Sequence, residues 1–411
     1  MRVPRGPQLI FFVVAASFWF SMMGYVGWRL LRPSQLSPRA RWLARIGIAL
    51  LAALPPVTMV ATRTLSTVPS PNVEPLSWAG FLAMGFGSLL LMLTLAVDSA
   101  RLVLALLRWL ARRFGWELPA PDEDRRRFLL RSVNAGIVGG AGAITAAGLV
   151  NALRLPEVVE VEVPVTGLAP GLDGLRIAQL SDIHIGPTIK RGFLEGLVAR
   201  TNALEADLIA VTGDLIDGLV DQLAHHVEPF GELAAPLGVY VVTGNHEYYW
   251  NGPAWCEALR GLGLDVLINE HRTIERDGAR LVVAGVTDFR AGRRVPEHQS
   301  DPAAALTGAP EDAFRLMLAH QPRSAPACHA AGVDLQLSGH THGGQYFPMS
   351  VMIYLFEPLV AGLSLIRGAA RQVRDTWVYV SRGSGYWGPP IRLGAPTEIT
   401  LLRLKRVAPA E

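Results

Sequence analysis

Four apolar stretches precede residue 152, and they constrain the fold more than any other feature. They run from about Gln8 to Trp28, Ile46 to Ala61, Trp78 to Val97 and Ser132 to Val150. A helix needs roughly 20 apolar residues to cross a bilayer, and about 17 is the lower bound. Inside lipid no water is available to bond backbone amides, so spans are helices or closed barrels. Runs this long read as helices. Residues 1–152 are therefore expected to form an all-α bundle of about four transmembrane helices. Pro55-Pro56 predicts a kink in the second. Arg101 to Arg113 reads as an amphipathic continuation of the third.

Charge is divided along the chain. In residues 1–150, 16 Arg and no Lys face six acids, which leaves +10; beyond them 22 bases face 29 acids, which leaves −7. The arginines sit mainly between the first and second stretches and between the third and fourth. Cytoplasmic connections carry such an excess. With four spans, this places the C-terminal half outside the cytoplasm, periplasmic or extracellular. Arg2 and Arg5 argue weakly the other way. Arg125-Arg126-Arg127, before the fourth stretch, resembles a twin-arginine export signal, but a charged stop before a helix is the favoured reading. An acidic C-terminal half gains little from counterion release, so DNA or RNA is not the expected partner. Cys256 and Cys328 make no CxxC and read as packed core thiols.

From about residue 155 the pattern changes to short apolar strands alternating with helix-like stretches, the mark of an α/β domain over 155–411. Six strand-like runs end in polar clusters. Five carry the chemistry: Asp182-x-His184, Gly213-Asp214, Gly244-Asn245-His246-Glu247, His320, and Gly339-His340-Thr341-His342. Such sheets place active sites at the C-terminal ends of their strands. Carboxylates, imidazoles and one amide oxygen converging there suit metal ions, and this donor set favours Mn, Fe or Zn over Ca or Mg. Two such divalent ions can acidify a water, neutralise phosphate oxygens and stabilise an in-line transition state.

In this order and spacing the motifs resemble the calcineurin-like metallophosphoesterases, over roughly Leu175 to Leu404. The resemblance implies a sandwich of two mixed β-sheets flanked by helices. It implies that Asp182, His184 and His342 hold one metal, that Asn245, His320 and His340 hold the other, and that Asp214 bridges. It gives His246 a role at the leaving group rather than as a ligand. Gly343-Gly344-Gln345, Ser381-Arg382-Gly383-Ser384-Gly385 and Trp387-Gly388-Pro389-Pro390-Ile391-Arg392 are similar to the membrane-associated branch of that family.

Outside the motifs, Tyr248 and Tyr249 are expected to wall a substrate pocket or to pack under a loop. Arg382 and Arg392 are expected to meet a substrate phosphate or to form ordinary ion pairs. Met349–Ile366 is nearly uncharged and reads either as an interfacial segment or as a buried loop and strand. The expected function is a membrane-anchored, dinuclear metal phosphoester hydrolase acting on a lipid-linked phosphate or pyrophosphate. The alternatives are a phosphodiesterase for soluble nucleotides and a transport or sensory membrane module regulated by the phosphoesterase domain.

Overall fold

The computed structural model describes residues 6–31, 36–64, 73–116, 122–368 and 374–408. Arg2, Arg5 and Arg32 lie outside them. The chain divides into two compact units, residues 1–150 with 388–391, and residues 151–387 with 392–411.

The first unit holds four long helices: α1 (Gly6–Leu31), α2 (Pro38–Thr64), α3 (Val73–Arg113) and α4 (Glu123–Leu153, whose last residues belong to the second unit). Among the described residues, three of them are long and apolar enough to cross a membrane by length and composition: α2, α3 and α4. Three of the four expected spans are thus supported by length and composition. Pro55-Pro56 does not break α2, whose apolar run continues to Thr62. At about 1.5 Å per residue, the 41 residues of α3 make a rod of about 60 Å, twice the hydrocarbon thickness. Its surplus is the arginine-bearing part. Within the unit, Arg29 of α1 pairs with Asp98 of α3 at 2.7 Å, and the Tyr25 hydroxyl donates to the same carboxylate at 2.7 Å.

The second unit is a sandwich of two six-stranded mixed sheets. One contains β1 (Glu157–Thr166), β2 (Arg176–Leu180), β3 (Leu208–Thr212), β4 (Val239–Val242), β5 (Asp265–Val266) and β12 (Glu398–Val407), in the order β1-β12-β2-β3-β4-β5. The other contains β6 (Glu270–Arg276), β7 (Ala279–Gly285), β8 (Phe314–Leu318), β9 (Leu335–Ser338), β10 (Gly362–Ile366) and β11 (Thr376–Val380), in the order β10-β11-β9-β8-β7-β6. In each, the central strands run parallel: β2, β3 and β4 in the first sheet, β7, β8 and β9 in the second.

Strands covered on both faces need continuous apolar runs, and the two-residue side-chain period divides each run between two cores. Ile177, Leu208 and Ala210 face the inter-sheet core with Leu281, Leu316 and Leu337. Ala178, Leu180, Ile209 and Val211 pack instead against the helices α5 (Arg191–Asn202), α6 (Val220–Val227) and α8 (Gly252–Gly261), through Leu197, Leu223 and Trp255. Cys256 belongs to that helix-side core and Cys328 to the core on the far face of the other sheet. Both are free and buried. Gln179 is buried between the sheets, where its amide donates to Thr212 Oγ1 and to the Ser338 carbonyl, each at 2.9 Å. It ties β2 to β3 and β9 just below the strand ends that carry the motifs.

Candidate metal centre

Every motif sits on a turn that leaves the C-terminal end of a strand, and the turns are bonded to one another. Asp182 N–H donates to the Gly213 carbonyl and His184 N–H to that of Asp214, at 3.0 and 3.1 Å. Gly339 N–H donates to the His320 carbonyl at 2.9 Å. These turns bend sharply. Asp182, His184, Asp214, His340 and His342 all have positive φ, a conformation uncommon outside glycine that gathers at functional sites. Two glycines permit the close approach. A Cβ at Gly213 would collide with the backbone of Gly244, and one at Gly339 with Ser181 and Asp182.

Glu247 fastens two of the turns. It lies in the short helix α7 (Asn245–Tyr249). Its carboxylate accepts N–H bonds from Gly244 at 2.6 Å, Leu215 at 2.7 Å and Asp214 at 3.1 Å. Three donors on one buried acceptor fix the Asp214 turn against the Asn245 turn.

Among the described residues three groups of side chains could hold an ion, one of them His184, Asp217 and His246. Asp182, His184 and His342 offer ligand atoms within 4.8 Å of one another, and so do Asp214, His320 and His340. His184 Nε2 and His342 Nε2 are 3.1 Å apart, and Asp182 Oδ1 is 3.5 Å from the latter. Asp214 stands between the groups. Its Oδ1 accepts the His246 N–H at 2.8 Å, while Oδ2 lies 3.2 Å from His320 Nε2 and 4.0 Å from His184 Nε2.

Buried polar atoms are nearly always bonded, yet Asn245 Oδ1 and His340 Nδ1 have no hydrogen-bond partner, and His320 Nε2 meets only the Asp214 carboxylate. These atoms belong to the three residues named from sequence as the second ligand set. A cation would satisfy all three, so the donor set fits the metal ions that the motifs imply. The opposite nitrogen of His320 is already engaged, with Nδ1–H donating to the Thr212 carbonyl at 2.7 Å. That contact aims Nε2 inward, as ligating histidines require.

One residue escaped the sequence reading. Asp217 accepts from His184 Nδ1 at 3.0 Å and from His246 Nδ1 at 2.5 Å. It thereby sets the tautomer of both rings and leaves their Nε2 atoms facing the centre. Its spacing three residues after Asp214 is the signal that would have found it. Burial works to raise the Asp217 pKa, but the two imidazoles hold it well below the carboxylate range. Burial also works to lower the pKa of His246, and Asp217 with Asp214 overcomes it, up to about 9. Burial, followed by the charge of His320, takes His340 down to about 3. Cations on the same carboxylates would withdraw part of the support for protonated histidine.

The remaining sequence-named residues divide. Tyr249 is 50% exposed, its ring 5.0 Å from that of His246, with Arg294 over its face at 4.9 Å. Trp387 meets His246 edge-on at 5.5 Å. Tyr248 is buried, with its hydroxyl bonded to His298 at 2.7 Å, so it packs under the loop and forms no wall. Arg382 pairs with the buried carboxylate of Glu398 at 2.9 Å. Arg392 corrects the expectation of a phosphate contact. It is 1% exposed, and its guanidinium donates to the carbonyls of Gly385, His342, Arg382 and Ala395 and to His342 Nδ1 at 2.8 Å. A fully engaged guanidinium has no donor left for a substrate; here it orients His342.

Residues 175–344 match the model of the calcineurin-like phosphoesterase family. The chain is 40% identical over 266 residues to a transmembrane protein with metallophosphoesterase domain from Danio rerio, covering 63% of this chain and 60% of that one. To the protein of the same description from Bos taurus it is 39% identical over 310 residues, 73% of this chain and 67% of the other. An uncharacterized metallophosphoesterase of Campylobacter jejuni is 31% identical over 80% of this chain and 82% of its own. This chain belongs to the calcineurin-like metallophosphoesterases.

Proposed function

We propose that this protein is a membrane-anchored, metal-dependent phosphoester hydrolase whose substrate is a lipid-linked phosphate or pyrophosphate. One observation carries the hydrolase reading: the Asp214 carboxylate lies between two groups of potential ligand atoms, and Asn245 Oδ1 and His340 Nδ1 are buried there without partners. Asp182, His184 and His342 would hold one divalent ion, Asn245, His320 and His340 the other, with Asp214 shared.

Bound there, the ions would supply charge for the phosphate oxygens and acidify a water. The chain's own residues do the rest. His246 is held by Asp217 with its Nε2 towards the centre, 3.9 Å from Asp214 Oδ2, in position to bond the leaving oxygen and supply its proton. Tyr249 and Trp387 adjoin His246 with exposed rings and can take the apolar part of a substrate. Arg294, stacked on Tyr249, adds positive charge at that edge.

The three apolar helices and the relatives described as transmembrane proteins support the anchor. The arginine-rich connections around residues 29–45 and 101–131 support a catalytic unit outside the cytoplasm.

The test is hydrolysis by the full chain with Mn, comparing phosphatidic acid in micelles with a soluble aryl phosphodiester. Preference for the lipid is expected. His246→Ala should keep its metal and lose turnover by roughly 10²–10⁴-fold, whereas Asp214→Ala should lose metal as well. Full activity in His246→Ala would reject its assigned role, and preference for the soluble ester would reject the lipid.

A further inference from the structure

The segment that follows the last histidine motif is an outward-facing apolar surface. Phe347, Val351, Met352, Tyr354, Leu355 and Phe356 are all exposed, Leu355 to 78%. They surround the short helix Met349–Met352 and the 3₁₀ turn Ile353–Leu355. This surface adjoins the centre through the turn His342–Gly344: a Cβ on Gly344 would run into the backbone of Ser350.

Three features say what covers it. The first is charge. Residues 343–366 contain one ionisable acid or base besides two tyrosines, Glu357; it is buried and paired with Arg323 at 2.7 Å. Arg323 also donates to the Phe356 carbonyl at 2.9 Å and keeps about a third of its side chain exposed. An apolar face edged by a neutral ion pair and without an exposed carboxylate sets no repulsion against phosphate headgroups above acyl chains. The second is the backbone. Ser350 N–H bonds Tyr346 O, Val351 and Met352 N–H bond Pro348 O, and Phe356 and Glu357 N–H bond Ile353 O. These donors need no water, the condition for entering an apolar phase. The third is size. One short segment falls well short of the roughly 20–30 residues per side of a stable protein interface, which argues against a second copy.

We propose that Phe347–Phe356 is a membrane-seating surface that lies in the headgroup layer of the bilayer to which the chain is tethered. Its use rests on the lipid-phosphate reading above: a lipid headgroup beside the seated segment would have only the turn His342–Gly344 to pass.

The experiment places a probe on the surface of the full chain. Cys256 and Cys328 are buried, with thiols pushed up by burial to about 11 and 12, so Leu355→Cys can be labelled selectively with a polarity-sensitive fluorophore. Glu257→Cys, at an exposed position of α8, serves as control. Both variants are reconstituted into phosphatidylcholine vesicles containing phosphatidic acid. Blue-shifted emission at position 355, quenched by spin-labelled lipid, with a water-like signal at 257, is the expected result. A water-like signal at both positions overturns the proposal. So does a shifted signal that lipid does not quench, with the Leu355→Cys chain oxidising to a disulfide-linked dimer, which would identify a second copy as the occupant.

Turnover in the same vesicles separates the two readings. Leu355→Ser with Phe356→Ser should lower phosphatidic acid hydrolysis by about tenfold and leave the soluble aryl ester within about twofold. Lipid quenching without any phosphatidic acid turnover would support the surface and reject that lipid phosphate as substrate.

Discussion

At the scale of single residues, the centre depends on side chains that touch no ligand position. Asp217 is the clearest, because one carboxylate orients two imidazoles. Asp217→Asn removes the acceptor that one of those N–H groups needs. Loss of such a supporting partner costs on the order of 10–100-fold, so a fall of that size in kcat is expected, with metal content checked by elemental analysis. His340 gives a pH dependence. In the folded, chelator-treated chain it stays neutral down to about 3, whereas the unfolded chain protonates it near its ordinary value of about 6.5. The unfolded state therefore binds the extra proton between those values, and stability is lost as pH falls through that window. Denaturant midpoints with chelator should drop from pH 7 towards pH 4, and His340→Asn should flatten that limb.

At the scale of elements, strands are legible and the turns between them are not. The run Leu208–Thr212 predicts β3 to the residue, because an unbroken apolar stretch suits a strand covered on both faces. β6 carries no such signature: Glu270–Arg276 is mostly polar, and it owes its place to pairing with β7. Glu247 illustrates a role invisible in sequence. As the residue after His246 it looks like part of the chemistry, yet its carboxylate is spent on three backbone donors of two turns. Glu247→Ala should leave those buried donors unmet, at about 1–3 kcal/mol or more. The expected outcome is a lowered Tm in the chelated protein and weaker metal binding, since the Asp214 turn loses its fastening. An unchanged Tm would mean that the turn holds without it.

At the scale of the molecule, Asp182 and Asp214 share a small buried volume with several imidazoles, and the charges of His320 and Arg392 only partly offset that of Asp182. Burial and Asp214 raise the Asp182 pKa, a sign that the metal-free constellation is electrostatically unsettled. Anything bound only by the folded state stabilises it by mass action. Adding Mn to chelated protein should raise the Tm of the catalytic unit progressively with concentration, and Asp214→Ala should abolish most of that rise in scanning calorimetry.

Read alone, the sequence places the motif side chains at the ends of apolar strands, whereas their assignment as metal ligands rests on the family resemblance. The sequence also determined the mixed-sheet sandwich, through its resemblance, and the helical character of the first 150 residues, through hydropathy alone. Which polar residues orient the motif side chains is visible only in three dimensions. Arg392 reads as a phosphate contact until its position beneath His342 shows every donor engaged, and Asp217 reads as a loop acid until two rings meet on it. The same holds for Met349–Ile366. Its composition fits a buried loop or an interfacial segment equally, since apolar side chains favour any escape from water. Packing resolved it: Gly362–Ile366 joined a sheet edge as β10, while Phe347–Phe356 found no core to cover it.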